Sequence, residues 1–142
     1  MRKFSSLLLL VLTVVLVGCN KGNQINGHTM KTAFRSVKGL KEKLPPEQKI
    51  EFEVSFWTIR DSAENDKNFL SLVDGLTPME VISKGKEIYQ QRKAQGFQKY
   101  EKYQSWEDMI TQFSQERMNQ DRKIKNNKDS ARDKANNVLY KL

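Results

Sequence analysis

Cys19 is the only cysteine in the chain, and it lies directly behind an apolar stretch, residues 7–17, that comes after Arg2 and Lys3. A positive start, an apolar core of that length and a small residue before the cysteine form a secretory signal, too short to span a bilayer as a helix. The consequence for folding is severe. Small exported domains are commonly stapled by disulfides, and one thiol permits none within the chain. The chain beyond Cys19 must therefore be held by its apolar core and by the packing of its elements.

Leu16-Val17-Gly18-Cys19 resembles the lipobox of bacterial lipoproteins. The resemblance covers residues 1–19 and implies cleavage between Gly18 and Cys19, with fatty acyl chains such as palmitate on the Cys19 thiol and new amino group. One chain binds a membrane weakly, at about 0.8 kcal/mol per buried CH₂, whereas two or three make attachment effectively permanent. The alternative is an ordinary secreted protein with a chance cysteine. Residue two of the mature chain is Asn20 rather than Asp. By the lipoprotein sorting rule this implies the inner leaflet of the outer membrane, facing the periplasm, in a Gram-negative host, or the outside of the cell membrane in a Gram-positive one.

Loss of residues 1–18 leaves 124 residues, enough for one domain with a modest core, and lowers the formal charge from +8 to +6. Residues 19–83 carry nine Lys or Arg against nine Asp or Glu, but residues 84–142 carry fourteen against eight. A basic half would suggest nucleic acid in a cytoplasmic protein, yet an exported, anchored domain rarely meets any. The acidic partners compatible with the compartment are phospholipid headgroups, lipopolysaccharide, peptidoglycan carboxylates or an acidic protein face. Against this stands the simpler reading that the basic residues solvate a long helix. Arg117, Arg122, Lys123, Lys125 and Lys128 are the one cluster dense enough to act together.

Residues 20–28 hold two glycines, several asparagines and one apolar side chain, Ile25, which predicts a flexible tether with a reach of about 30 Å. From Thr29, a capping residue, Met30, Ala33, Phe34, Val37, Leu40 and Leu44 recur at helical steps until Pro45-Pro46 stops them. Pro46 can open the next helix. The alternating Ile50-Glu51-Phe52-Glu53-Val54-Ser55-Phe56 suggests a strand, but a lone strand would leave its backbone groups unpaired. On a helix, Ile50, Val54, Trp57 and Phe52, Phe56, Ile59 become two adjoining apolar lines, so a broadly buried helix is expected. Residues 66–74 read as a short helix stopped by Gly75.

Thr77-Pro78-Met79-Glu80 combines a capping threonine, proline in the first helical position and glutamate three residues after the cap, with Leu76 and Val81 as a hydrophobic staple. Within this helix Gly85 either weakens the turn or admits a close neighbour. Gly96 marks a break, and Ser105 with Asp108 a weaker restart. The series Tyr89, Phe97, Tyr100, Tyr103, Trp106 and Phe113 keeps helical spacing, which usually denotes core. Because so small a bundle has limited room, Tyr100, Tyr103 and Trp106 are also candidates for a partner-binding face, with Arg122, Lys123 and Lys125 as its charged part. From Ser114 onward, apolar residues thin out, and the segment reads equally as a narrow amphipathic helix carrying Ile124, Ala131 and Val138 or as a partly disordered basic tail.

The lone histidine, His28, lies beside the predicted tether, reads as a surface or capping residue and has no neighbour with which to build a catalytic or metal site. Phosphate-cradling glycine loops, HExxH pairs and calcium-loop patterns do not occur in the sequence. Glu51 with Glu53 and Glu107 with Asp108 are most simply solvated carboxylates. A catalyst is therefore not expected, nor a metal or cofactor. Through Phe34 with Leu40, Leu44-Pro45 followed by Glu51-Phe52, and Gly75-Leu76-Thr77-Pro78-Met79-Glu80-Val81-Ile82, residues 25–92 resemble an uncharacterised family of small helical bacterial lipoproteins. The resemblance implies helices across residues 29–94 and carries no activity or site.

The chain is thus expected to be all-α: a signal peptide over 1–18, a lipidated tether over 19–28, and a helical domain over 29–113. That domain is an irregular bundle of about four to five helices, followed by a long, basic and marginally helical extension over 114–142. Its expected role is that of a lipid-anchored envelope protein serving as a binding or structural module for an envelope protein or anionic envelope component. The alternative is an immunity or exclusion lipoprotein that neutralises a toxin, phage or conjugative partner.

Overall fold

The computed structural model describes residues 22–139, with side chains to Lys128, and among the described residues there are six helices and no strand. They are α1 (Met30–Lys43), α2 (Pro46–Ser62), α3 (Asp66–Val73), α4 (Pro78–Ala94), α5 (Gln98–Glu101) and α6 (Trp106–Leu139). Cys19, Gly18 and the expected signal peptide over 1–18 lie outside the described residues.

Local signals account for most of the boundaries. Thr29 and Thr32 exchange side-chain to backbone hydrogen bonds of 2.9 and 3.1 Å at the start of α1, and the stripe Ala33, Val37, Leu40 is buried. Leu44 is extended before Pro45, and Pro46 is the first residue of α2. The Asn68 amide donates to the Asn65 side chain at 2.9 Å, a cap for α3 that the residue pattern alone does not single out. At α4 the Thr77 amide donates to Glu80 Oε2 at 2.8 Å and the Glu80 amide to Thr77 Oγ1 at 3.4 Å, closing the expected capping box. Gly96 adopts φ 73°, and the Phe97 amide bonds back to the Arg92 carbonyl, so α4 ends in the left-handed turn that glycine tolerates. The chain then doubles back through α5, the element by which the count exceeds the four to five helices expected. Ser105 accepts from the Asp108 amide at 3.1 Å and starts α6. With no glycine or proline between Phe97 and Leu142, α6 continues unbroken for 34 residues, about 50 Å. Of the two readings of the tail, the helical one holds through Leu139.

α2 is the axis of the domain. Phe52, Phe56 and Ile59 enter a first core with Val37 and Leu40 of α1, Phe69 and Val73 of α3, and Val81 of α4. Ser55 and Thr58 are buried on the same helix because each hydroxyl donates to a carbonyl one turn back, Glu51 at 2.7 Å and Val54 at 2.9 Å. That small buried face meets Gly85 of α4, where a methyl group would lie 2.6 Å from Ser55 Cβ. Gly85 therefore serves close approach of two helices. A second core gathers Tyr89, Tyr100, Tyr103, Trp106 and Met109, with Tyr89 4.9 Å from Tyr100 and 5.5 Å from Trp106 by ring centroids.

One expectation is corrected at the N-terminus. Ile25, assigned to a flexible tether, is 2% exposed in the first core. Its amide donates to the Leu76 carbonyl and its carbonyl accepts from the Gly75 amide, both at 2.9 Å, while the Gly27 amide donates to Asp74 Oδ1 at 2.7 Å. Residues 22–28 thus belong to the body, because one buried isoleucine and three hydrogen bonds fasten them to the turn between α3 and α4.

Candidate functional site

The second apolar line of α2 stays at the edge of the cores: Val54 packs against the second core, and Trp57 is half-exposed. Ile50, Val54 and Trp57 of α2, Lys99 and Tyr100 of α5, and Phe113 and Arg117 of α6 line a groove of about 360 Å³. Trp57 remains 49% exposed and Phe113 37%. Each ring has aromatic neighbours, Trp57 with Phe34 and Phe56 at 5.7 Å, and Phe113 with Tyr103 at 6.3 Å. Partly exposed rings packed on other rings present apolar area to a binding partner.

Two ion-paired carboxylates of α2 stand among the lining residues. Glu53 binds Lys41 of α1 and, at 3.1 Å, Arg117 of α6. Burial pushes the Glu53 carboxyl up, but the Lys41 hydrogen bond and the charges of Lys41 and Arg117 outweigh it and hold the carboxyl below its usual range. About two turns further along α2, Asp61 pairs with Lys99 of α5. Apolar side chains and charged groups thus share the lining, which suits a guest with an apolar face flanked by polar groups.

The candidate residues from the sequence divide sharply. Tyr100, Tyr103 and Trp106 are 3%, 6% and 2% exposed, which makes them second-core residues and not a free binding face. The physical reason is the reversal at Gly96, which folds α5 and the start of α6 back onto Tyr89. Trp106 satisfies its indole by donating to Glu51 Oε1 at 2.7 Å, and Lys93 donates to the Tyr103 carbonyl and, at 2.7 Å, to the Gln104 carbonyl, pinning the loop before α6. Tyr100 and Tyr103 still touch the groove from below. Arg122, Lys123 and Lys125 are exposed on α6. Trp106 and Lys123 are separated by about 25 Å of helix, so the structure does not join the aromatic and basic sets. His28 is exposed, and its amide donates to Asn26 Oδ1 at 3.1 Å.

That Trp57 and Phe113 line one groove is what sequence reasoning missed. Their spacing reads as core, yet packing leaves both partly exposed. Among the described residues no cluster of three His, Cys, Asp or Glu is placed to hold a metal ion, and no helix is long and apolar enough to cross a membrane. Comparison with models of protein families, with curated proteins and with solved structures finds no match.

Proposed function

We propose that the chain is a lipid-anchored protein of the bacterial cell envelope that acts as a binding module and not as a catalyst. Acyl chains on Cys19 hold it to the membrane, at the inner leaflet of the outer membrane facing the periplasm in a Gram-negative host. The lipobox Leu16-Val17-Gly18-Cys19 supports the anchor. The observation that carries the binding role is that two half-exposed rings, Trp57 and Phe113, line one groove between α2 and α6. Its occupant is an amphipathic helix of an envelope protein, because a trough between two helices accepts the apolar face of a third and the charged lining residues meet polar residues flanking that face.

The anchor and the groove are tested separately. Cys19→Ser abolishes incorporation of labelled fatty acid, and a mature wild-type chain without acyl groups by intact mass refutes the anchor. For the groove, a photoreactive residue in place of Phe113 crosslinks a discrete protein in intact cells, and Trp57→Ala removes that product while one at Lys67 on α3 never forms it. Crosslinking unaffected by Trp57→Ala, or equal from Lys67, refutes the groove as binding site. A captured toxin or phage component would assign the module to immunity or exclusion.

A further inference from the structure

The charge of the domain is segregated along its length. Residues 22–116 carry fourteen Lys or Arg and fourteen Asp or Glu, so the body and the base of α6 are neutral, whereas residues 117–139 carry seven against three. Every residue from Gln115 to Lys128 is exposed. Lys123, Lys125 and Lys128 form no salt bridge among the residues whose side chains are described. Beyond Gln120, the last residue at the groove, α6 runs on as a cationic arm about 28 Å long. Ile124, 54% exposed, continues the line of Phe113, Arg117 and Gln120 past the body.

The chain's entry into the fold lies at the base of this arm. Lys43, in the last turn of α1, donates to the Gly22 carbonyl at 3.1 Å, and Lys41 of the same turn shares Glu53 with Arg117. Because Ile25 is locked in the core, only about 20 Å of chain at full stretch separates it from Cys19. We propose that the projecting part of α6 rests on the anionic surface of the bilayer in which Cys19 is anchored, its lysines and arginines meeting lipid phosphates and Ile124 entering the headgroup region. This rests on the reading of Cys19 as the anchor. The short leash holds the arm at the surface, and a neutral body leaves it as the electrostatic contact. Like charge opposes pairing of two arms.

Since Cys19 is acylated, Ile124→Cys supplies the lone free thiol for an environment-sensitive fluorophore on the full lipidated protein reconstituted in vesicles. In phosphatidylcholine with about 30% phosphatidylglycerol, emission shifts to the blue and rises on the order of twofold, and about 0.5 M salt reverses it. The Lys123→Glu, Lys125→Glu double variant shows no shift, and Asn126→Cys on the opposite side of the helix stays aqueous. Aqueous emission from position 124 in the anionic vesicles overturns the proposal, as does a shift equally large in pure phosphatidylcholine that grows with protein density, the mark of a second copy. Flotation on phosphatidylcholine alone reads the anchor by itself. A chain that does not float refutes the anchor, and Ile124→Cys combined with Cys19→Ser then keeps a single thiol, so that the dependence of its fluorescence on anionic lipid still decides the arm.

Discussion

Single residues in this domain carry roles that their type alone does not announce. Gly85 lies in a helix, where alanine would be favoured by about 1 kcal/mol, yet a Cβ there meets Ser55 Cβ at 2.6 Å and Cα at 2.7 Å. Gly85→Ala therefore pushes α4 off α2 and destabilises by about 1–3 kcal/mol. Gly39 of α1 has no such neighbour within 4 Å, so Gly39→Ala stabilises by about 0.5–1 kcal/mol. Urea unfolding of the two variants reads the opposite signs. Glu53 supplies a pH dependence. Its carboxyl is held below the usual range, so its contribution is present above the unfolded carboxylate value of about 4.3 and is lost as pH falls through the folded value. Glu53→Gln lowers stability at pH 7 by about 1 kcal/mol, and the difference closes in acid. A difference that persists unchanged to pH 3 removes the ion pairs from the account.

At the scale of elements, the helix starts and stops are written locally, and the destination of each face is not. Thr29, Pro46, Thr77, Gly96 and Ser105 mark boundaries legible in the sequence, because caps and breakers act within one turn. Asn65 is hidden among neighbouring polar residues. The aromatic series is the instructive case. Its spacing allows both a core and a partner face, and the reversal after α4 decides for the core by bringing Tyr100 and Trp106 against Tyr89. Trp106→Ala accordingly costs about 3–5 kcal/mol, since it opens a cavity and strips Glu51 of its indole donor. Thermal and chemical unfolding measure this directly, and a loss under about 1 kcal/mol would mean that the second core is not formed.

At the scale of the whole molecule, residues 22–116 are neutral and α6 beyond them is basic. Residues 121–128 are exposed and add no core area, so truncation after Gln120 leaves the unfolding free energy within about 0.5 kcal/mol. Truncation before Phe113 removes a groove wall and part of the second core's cover, and the unfolding midpoint falls. A large loss on truncation after Gln120, measured by urea unfolding, would show that the arm packs on the body.

The all-helical class and most element boundaries are legible in the sequence, because capping, proline and glycine effects and the period of apolar residues are properties of neighbours along the chain. Tertiary structure alone decided that Ile25 belongs to the core and not to a tether, that Tyr100, Tyr103 and Trp106 are interior, and that Trp57 and Phe113 line one groove. Those outcomes depend on which faces α2 offers to α4 and α6, and residues such as Gly85 and Ser55, thirty positions apart in sequence, set that crossing through contacts that periodicity cannot encode.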